Sequence, residues 1–216
     1  MLSLRDLATG LAVGIPTAIV VVAVSILPFL NPVWVAFEQG RADAAGWTGY
    51  SPADLRAATD AILSDLVLGP PRFDVTVGGV AVLDQRERSH MRDVRSVFAS
   101  LYLAAIACAV LLGAAFVATR RSGRAVLWRR LSRSGLAIAV VTVAGGLLGL
   151  AFFDAAFELF HELFFPAGTY LFDPRTERLV QLFPDAFWSE TTVAIGVVIV
   201  FLSLALAWLG RRRAAG

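Results

Sequence analysis

Asp84-Gln85-Arg86-Glu87-Arg88-Ser89-His90-Met91-Arg92-Asp93-Val94-Arg95-Ser96 runs without a glycine or a proline into an apolar stretch over residues 97–119. At about 1.5 Å rise per residue the apolar part is long enough to cross a hydrocarbon core of roughly 30 Å. Its backbone must be helical there, because lipid offers the peptide groups no hydrogen-bond partners. Asp84 followed three residues on by Glu87 has the capping-box pattern that opens a helix. A single helix is therefore expected over 85–119, charged at its start and apolar from Val97. Arg86, His90 and Asp93 fall at i, i+4 and i+7, on one face of the charged part.

Three more runs, at about 7–30, 136–153 and 191–209, share this apolar character and are also about 18 residues or longer. Hydrophobic residues make up 57% of the chain and charged residues 17%, and the mean hydropathy is +0.71. The expected fold class is an all-α polytopic membrane protein, a single membrane domain over 1–216 with four transmembrane helices. The first run is longer than the apolar core of a signal peptide and is expected to stay as an anchor. All 19 basic residues are arginine and the net charge is +2. These charges are partitioned along the chain and do not form a nucleic-acid-binding face. Cys108 is alone, which excludes a disulfide and a thiolate metal site.

The partition sets an orientation. Arg5, Arg120, Arg121, Arg124, Arg129, Arg130, Arg133 and Arg211 to Arg213 gather on one side with a single acid, Asp6. The other arginines and every other acid lie on the opposite side. By the positive-inside rule both termini and the 120–135 loop are expected to be cytoplasmic. Segments 31–96 and 154–190 are then extracytoplasmic, and both histidines of the chain, His90 and His161, face outward.

The extracytoplasmic segments carry their own signals. Trp34 and Phe37 suit a membrane interface. Ser51 at an N-cap and Pro52 at the first helical position start a short amphipathic helix reaching about residue 68, where Gly69 precedes Pro70-Pro71. Phe73, Val75 and Val77 alternate up to Gly78-Gly79, and 80–83 follow, which predicts a small β-hairpin between the first two spans. Beyond the third span the helical pattern continues: Asp154, Glu158 and His161 fall at i, i+4 and i+7, with Glu162 beside them. His161 lies eight residues past Phe153 and His90 seven before Val97, on antiparallel neighbours. Each then stands roughly 10–12 Å beyond its apolar edge, at one height. Asp173-Pro174 repeats the N-cap and first-position pattern and predicts one more short helix.

Two histidines and several carboxylates at one height form a candidate acid–base site, since imidazole both takes and gives a proton near neutral pH. Asp93, Asp154 or Glu158 are placed to orient the rings and favour imidazolium, with Glu87 supporting. The competing reading is of histidines at helix ends that are merely interfacial. Glu158-x-x-His161 has di-iron spacing without the second copy such bundles need, and His161-Glu162 lacks the second histidine of the zinc-protease helix. No metal and no cofactor is expected. Ser89 points about 100 degrees away from His90, so the two do not form a nucleophile pair.

Glu87-Arg88-Ser89-His90-Met91-Arg92-Asp93-Val94, the 160–174 stretch with Phe160-His161-Glu162-Leu163-Phe164-Phe165-Pro166, and Leu182-Phe183-Pro184 resemble the bacterial four-span family that includes lipoprotein intramolecular transacylase (Lit). The resemblance covers most of the chain. It implies a bacterial plasma-membrane enzyme acting on lipoproteins whose N-terminal cysteine carries a diacylglyceryl group. The acyl chain at the glyceryl sn-2 oxygen would move to the cysteine α-amine, giving a lyso-form lipoprotein. By motif, His90 and His161 carry over as the catalytic pair, at the outer leaflet among membrane lipids. Arg88, Arg92 or Tyr170 would polarise the substrate carbonyl. Tyr170 stands where the family pattern leads one to expect tryptophan, and Glu177 where one expects aspartate. The alternatives are a transacylase or hydrolase of another lipid ester, and a non-catalytic membrane protein that binds lipidated partners.

Overall fold

A computed structural model describes residues 4–215, with the side chains of residues 4–6, 121 and 122 outside the description. In chain order the helices are α1 (Leu4–Ile26), α2 (Pro32–Arg41), α3 (Ala44–Thr48), α4 (Pro52–Val67), α5 (Gln85–Ala118), α6 (Arg121–Ala151), α7 (Phe153–Phe164), α8 (Arg178–Leu182) and α9 (Asp185–Ala215). Strands β1 (Thr76–Val77) and β2 (Val80–Ala81) separate α4 from α5. Among the described residues four helices are long and apolar enough to cross a membrane: α1, α5, α6 and α9. The chain divides into two compact units, one of residues up to Ile26, 100–148 and from Ala194 on, the other of residues 27–99 and 149–193.

The first unit is built from the apolar lengths of these helices. Leu103, Ile106, Val110, Val140, Val141, Leu147, Val197 and Phe201 are all exposed on it, as suits helices whose solvent is lipid. With lipid as apolar as leucine, helices associate through close backbone approach at small residues. A Cβ added at Gly135 of α6 would lie 2.5 Å from the Ser203 carbonyl oxygen of α9, and one at Gly210 of α9 would lie 2.7 Å from the Trp128 carbonyl oxygen of α6. Ser132 Oγ donates to the Ala207 carbonyl (2.8 Å) between these two contacts. The arginines expected in a loop over 120–135 instead occupy the first turns of α6, and the connection shrinks to Thr119 and Arg120. None of these residues breaks a helix, so the helical backbone continues through them.

The second unit has a conventional apolar core. Val35, Ala58, Ile62, Phe73, Val82, Leu83, Met91, Leu179, Leu182, Phe183 and Phe187 belong to one buried cluster. The Ser51 N-cap, the Pro52 start and the hairpin are where the pattern predicted them, with Val77 paired to Val80 across Gly78-Gly79. Helices α2 and α3 were not expected. Asn31 caps α2 by accepting from Val33 N and Trp34 N, with Pro32 at the first position, the same signal as Ser51-Pro52. Buried polar groups tie the elements together: Gln39 Nε2 donates to the Leu182 carbonyl (3.0 Å) and Gln39 Oε1 accepts from Thr59 Oγ1 (3.1 Å). Arg95 closes the end of α4 by donating to the carbonyls of Asp65 and Gly69.

Two expectations about this unit fail. The third span does not run on unbroken into the His161 segment: α6 ends at Ala151, Phe152 adopts φ −134 and ψ 48, and α7 starts afresh. Gly145, Gly146 and Gly149 precede the break and lower helix propensity there. Asp173-Pro174 starts a turn, with the Asp173 carbonyl accepting from Thr176 N and Glu177 N, and α8 begins only at Arg178. Asp173 Oδ1 binds Arg175 N (2.9 Å), the local hydrogen bond with which aspartate favours a turn over a helix.

Candidate active site

Both histidines belong to the second unit, and their side chains meet. His90 comes from the second turn of the polar start of α5, well before the apolar length from Val97. That start is locked by the reciprocal capping box: Glu87 N binds Asp84 Oδ1 and Asp84 N binds Glu87 Oε2, each at 2.7 Å. Glu87 is 2% exposed, and its other oxygen accepts from Leu179 N at 2.6 Å. Burial pushes its carboxyl up, while the two amide donors pull it back down. This carboxylate therefore anchors the start of α8 to the helix that carries His90.

His161 comes from the last turn of α7. Phe157, one turn earlier, faces the same way, and its carbonyl pairs with His161 Nδ1 at 2.7 Å. A carbonyl only accepts, so Nδ1 carries the proton and Nε2 is left with the free lone pair. Pro166 disfavours helix at the residue before it. Phe165 accordingly leaves α7 in an extended conformation, its N–H still bonded to the His161 carbonyl. Its ring then stands 4.7 Å from that of His90 and 5.4 Å from that of His161. The Pro166–Thr169 turn uses Gly168 at φ +81, a left-handed value that glycine adopts freely. It returns the chain so that Tyr170 lies 5.1 Å from His161 and Phe172 lies 5.4 Å from His90.

The two imidazoles are stacked, 22° from parallel, with centroids 6.0 Å apart. They are 6% and 8% exposed, inside a cage of Phe157, Phe160, Phe165, Tyr170 and Phe172. His90 Nδ1 is buried and has no hydrogen-bond partner among the described residues. Burial is the main reason that both rings are hard to protonate. His90 is lowered to about 4, with repulsion from His161 adding to the effect. His161 is lowered as well, and the Phe157 carbonyl opposes the shift by stabilising its protonated form.

The carboxylates expected to orient the rings do not do so. Among the described residues no acid hydrogen-bonds to either histidine. Asp154 and Glu158 are exposed on α7, and Asp93 is half-buried on α5. The expected tilt towards imidazolium is therefore reversed: apolar burial favours the neutral rings. Arg88 turns back onto its own helix, donating to the Asp84 carbonyl, and Arg92 is exposed. Of the three groups expected to polarise a carbonyl, Tyr170 alone reaches the pair.

Of the groups that hold the cage, the sequence pattern marked Glu87 as supporting but gave no such role to Arg86 or Glu177. Arg86 pairs with Glu177 and stacks on Phe172, 4.9 Å from its centroid, and Glu177 also accepts from Asp173 N. The segment over the histidines is thus tied to α5 at Arg86 and again at Glu87. Arg86 and His90 sharing a face was the available signal for this clamp. Among the described residues no group of three or more His, Cys, Asp or Glu is arranged to hold a metal ion.

A family model described as "Lipoprotein intramolecular transacylase Lit" matches residues 10–188 of the chain. The solved structure of the membrane-integral transacylase Lit from Bacillus cereus superposes with a TM-score of 0.74 at 17% identity, covering 98% of this chain and 96% of that one. A variant of that protein with a histidine replaced by arginine gives 0.76 at 17% identity, over 98% and 92%. At such identity these similarities establish the fold. An uncharacterised protein of Aquifex aeolicus is 24% identical over 132 residues, which span 61% of this chain and 58% of that protein.

Proposed function

Since the chain belongs to the lipoprotein intramolecular transacylase family, we propose that it transfers the sn-2 acyl chain of a diacylglyceryl-modified lipoprotein cysteine to the α-amine of that same cysteine. The observation that carries this reading is the stacked pair of buried imidazoles in an aromatic cage, where burial favours the neutral rings. Amide formation from an ammonium and an ester removes two protons from nitrogen, one of which ends on the released hydroxyl. Two neutral bases within reach of one carbonyl carbon meet that need.

In this mechanism Nε2 of His161 takes the first proton from the α-ammonium. The freed amine attacks the sn-2 carbonyl carbon, and the π pair moves onto the carbonyl oxygen. As the intermediate collapses, the bond from carbon to the sn-2 oxygen breaks. His161 gives its proton to that oxygen, while His90 takes the second proton from nitrogen and later releases it to solvent. The rings never carry two positive charges together, in keeping with their mutual repulsion. Tyr170 hydrogen-bonds the developing oxyanion, and the aromatic walls exclude water that would hydrolyse the ester. The arginine partition supports an outer-leaflet site with both termini cytoplasmic.

The test is mass spectrometry of the N-terminal peptide of a reporter lipoprotein, in a host without other N-acylating enzymes. Wild type should yield N-acyl, monoacylglyceryl cysteine. His90→Ala and His161→Ala should leave the diacylglyceryl form with a free amine. An identical peptide from all three strains would exclude transacylation of that reporter.

A further inference from the structure

The first unit carries a second constructed feature, away from the histidines. Arg129, Ser132, Arg133 and Leu136 of α6 and Ala207 and Arg211 of α9 line one groove. We propose that this groove binds the phosphate of an anionic glycerophospholipid, with the three guanidinium groups on the phosphate and the lipid tail along Leu136 and Val140.

The positive-inside rule accounts for arginines at this end of the helices, but not for their convergence from two helices on an apolar floor. That convergence is held by packing: Gly210 approaches Trp128 too closely to admit a Cβ, and Ser132 Oγ is bonded to the Ala207 carbonyl. The helix backbones that carry these arginines are therefore held close to each other. Charge complementarity points outside α6 and α9. Neither residues 94–153 nor residues 191–216 contain an aspartate or glutamate. Among the described residues, Arg129, Arg133 and Arg211 have no ion-pair partner. Guanidinium binds phosphate through paired N–H donors, and basic pockets between membrane helices suit lipid headgroups. Leu136 and Val140, at i and i+4, are 51% and 60% exposed and continue the groove as an apolar track. Trp208 stacks under Arg212 at 4.2 Å and puts an aromatic ring at this level, as membrane–water interfaces favour.

Native mass spectrometry of the purified full chain, titrated with phosphatidylglycerol, phosphatidylcholine or glycerol phosphate, tests the proposal. Wild type should retain phosphatidylglycerol about tenfold or more over phosphatidylcholine. The Arg129→Gln, Arg133→Gln, Arg211→Gln triple variant should lose that preference. A charge-matched triple, Arg120→Gln, Arg130→Gln, Arg213→Gln, should keep it. Equal loss in both triples would mean a diffuse surface field and overturn the groove. No preference in wild type would do the same. Retention of glycerol phosphate as strong as that of the lipid would make this a soluble-phosphate site and overturn the lipid assignment. If the groove triple does not fold, Arg133→Gln and Arg133→Lys replace it. The glutamine variant should lose more retention than the lysine variant, and equal retention in both would refute the proposal.

Discussion

Replacing Glu87 with alanine removes the acceptor of two backbone N–H groups, those of Asp84 and Leu179. Asp84 is exposed and its amide turns to water at little cost, whereas Leu179 is 7% exposed and has no such recourse. Orphaning a buried amide costs about 1–3 kcal/mol, and a hydrogen bond to a charged acceptor sits towards the upper end. Loss of the buried stem adds about 1 kcal/mol, and relief of the carboxylate's desolvation offsets a similar amount. The expected destabilisation is about 2–3 kcal/mol, or a fall of roughly 4–12 °C in Tm for a chain of this size. Glu87→Gln keeps an acceptor for Leu179 N and should lose about half as much. Thermal unfolding in detergent measures the difference, and hydrogen exchange at Leu179 localises it. Glu87→Ala within about 0.5 kcal/mol of wild type, or glutamine as harmful as alanine, would refute the anchoring role.

The histidines offer a titration test. With His90 lowered to about 4, the fold favours its neutral ring, so stability from this group is complete above about 6.5 and is lost as pH falls towards 4. NMR of ring protons should show His90 titrating near the low value, and His161→Ala should move it upward by removing the repulsion. A midpoint near 6.5 in wild type would contradict apolar burial. Gly135→Ala should destabilise by about 1–3 kcal/mol, because its Cβ meets a carbonyl of α9. Gly145→Ala, with nothing within 4 Å, should be neutral or better, and the two melting curves compare directly. Phe73→Ala should cost about 3–5 kcal/mol in chemical denaturation, since the ring is fully buried in the core of its unit.

Some of this was legible in one dimension. A membrane span is a statement about length and composition, so α1, α5, α6 and α9 follow from counting apolar residues. Caps are equally local, which is why Ser51-Pro52 and the Asp84/Glu87 box formed as expected, and why Asn31-Pro32 was readable for α2. The meeting of His90 and His161 was anticipated from matched heights, but through an unbroken helix that does not exist. The break at Phe152 and the turn at Asp173 instead reflect competition between weak local preferences, which surrounding packing decides.

Read in one dimension, the chain already specifies the class, the four spans and the caps, and it sets both histidines at one height. These depend on burial in lipid and on hydrogen bonds between near neighbours. Which side of α7 turns inward, that the ring of His161 is held by the Phe157 carbonyl and not by Glu158, and that burial disfavours protonation of both imidazoles are set by packing in three dimensions. The reason is physical: a side chain's proton affinity follows the dielectric and the partners around it. Here those are set by Phe165, Tyr170 and Phe172, delivered by a turn and clamped through Arg86, Glu87 and Glu177 across about ninety positions of chain.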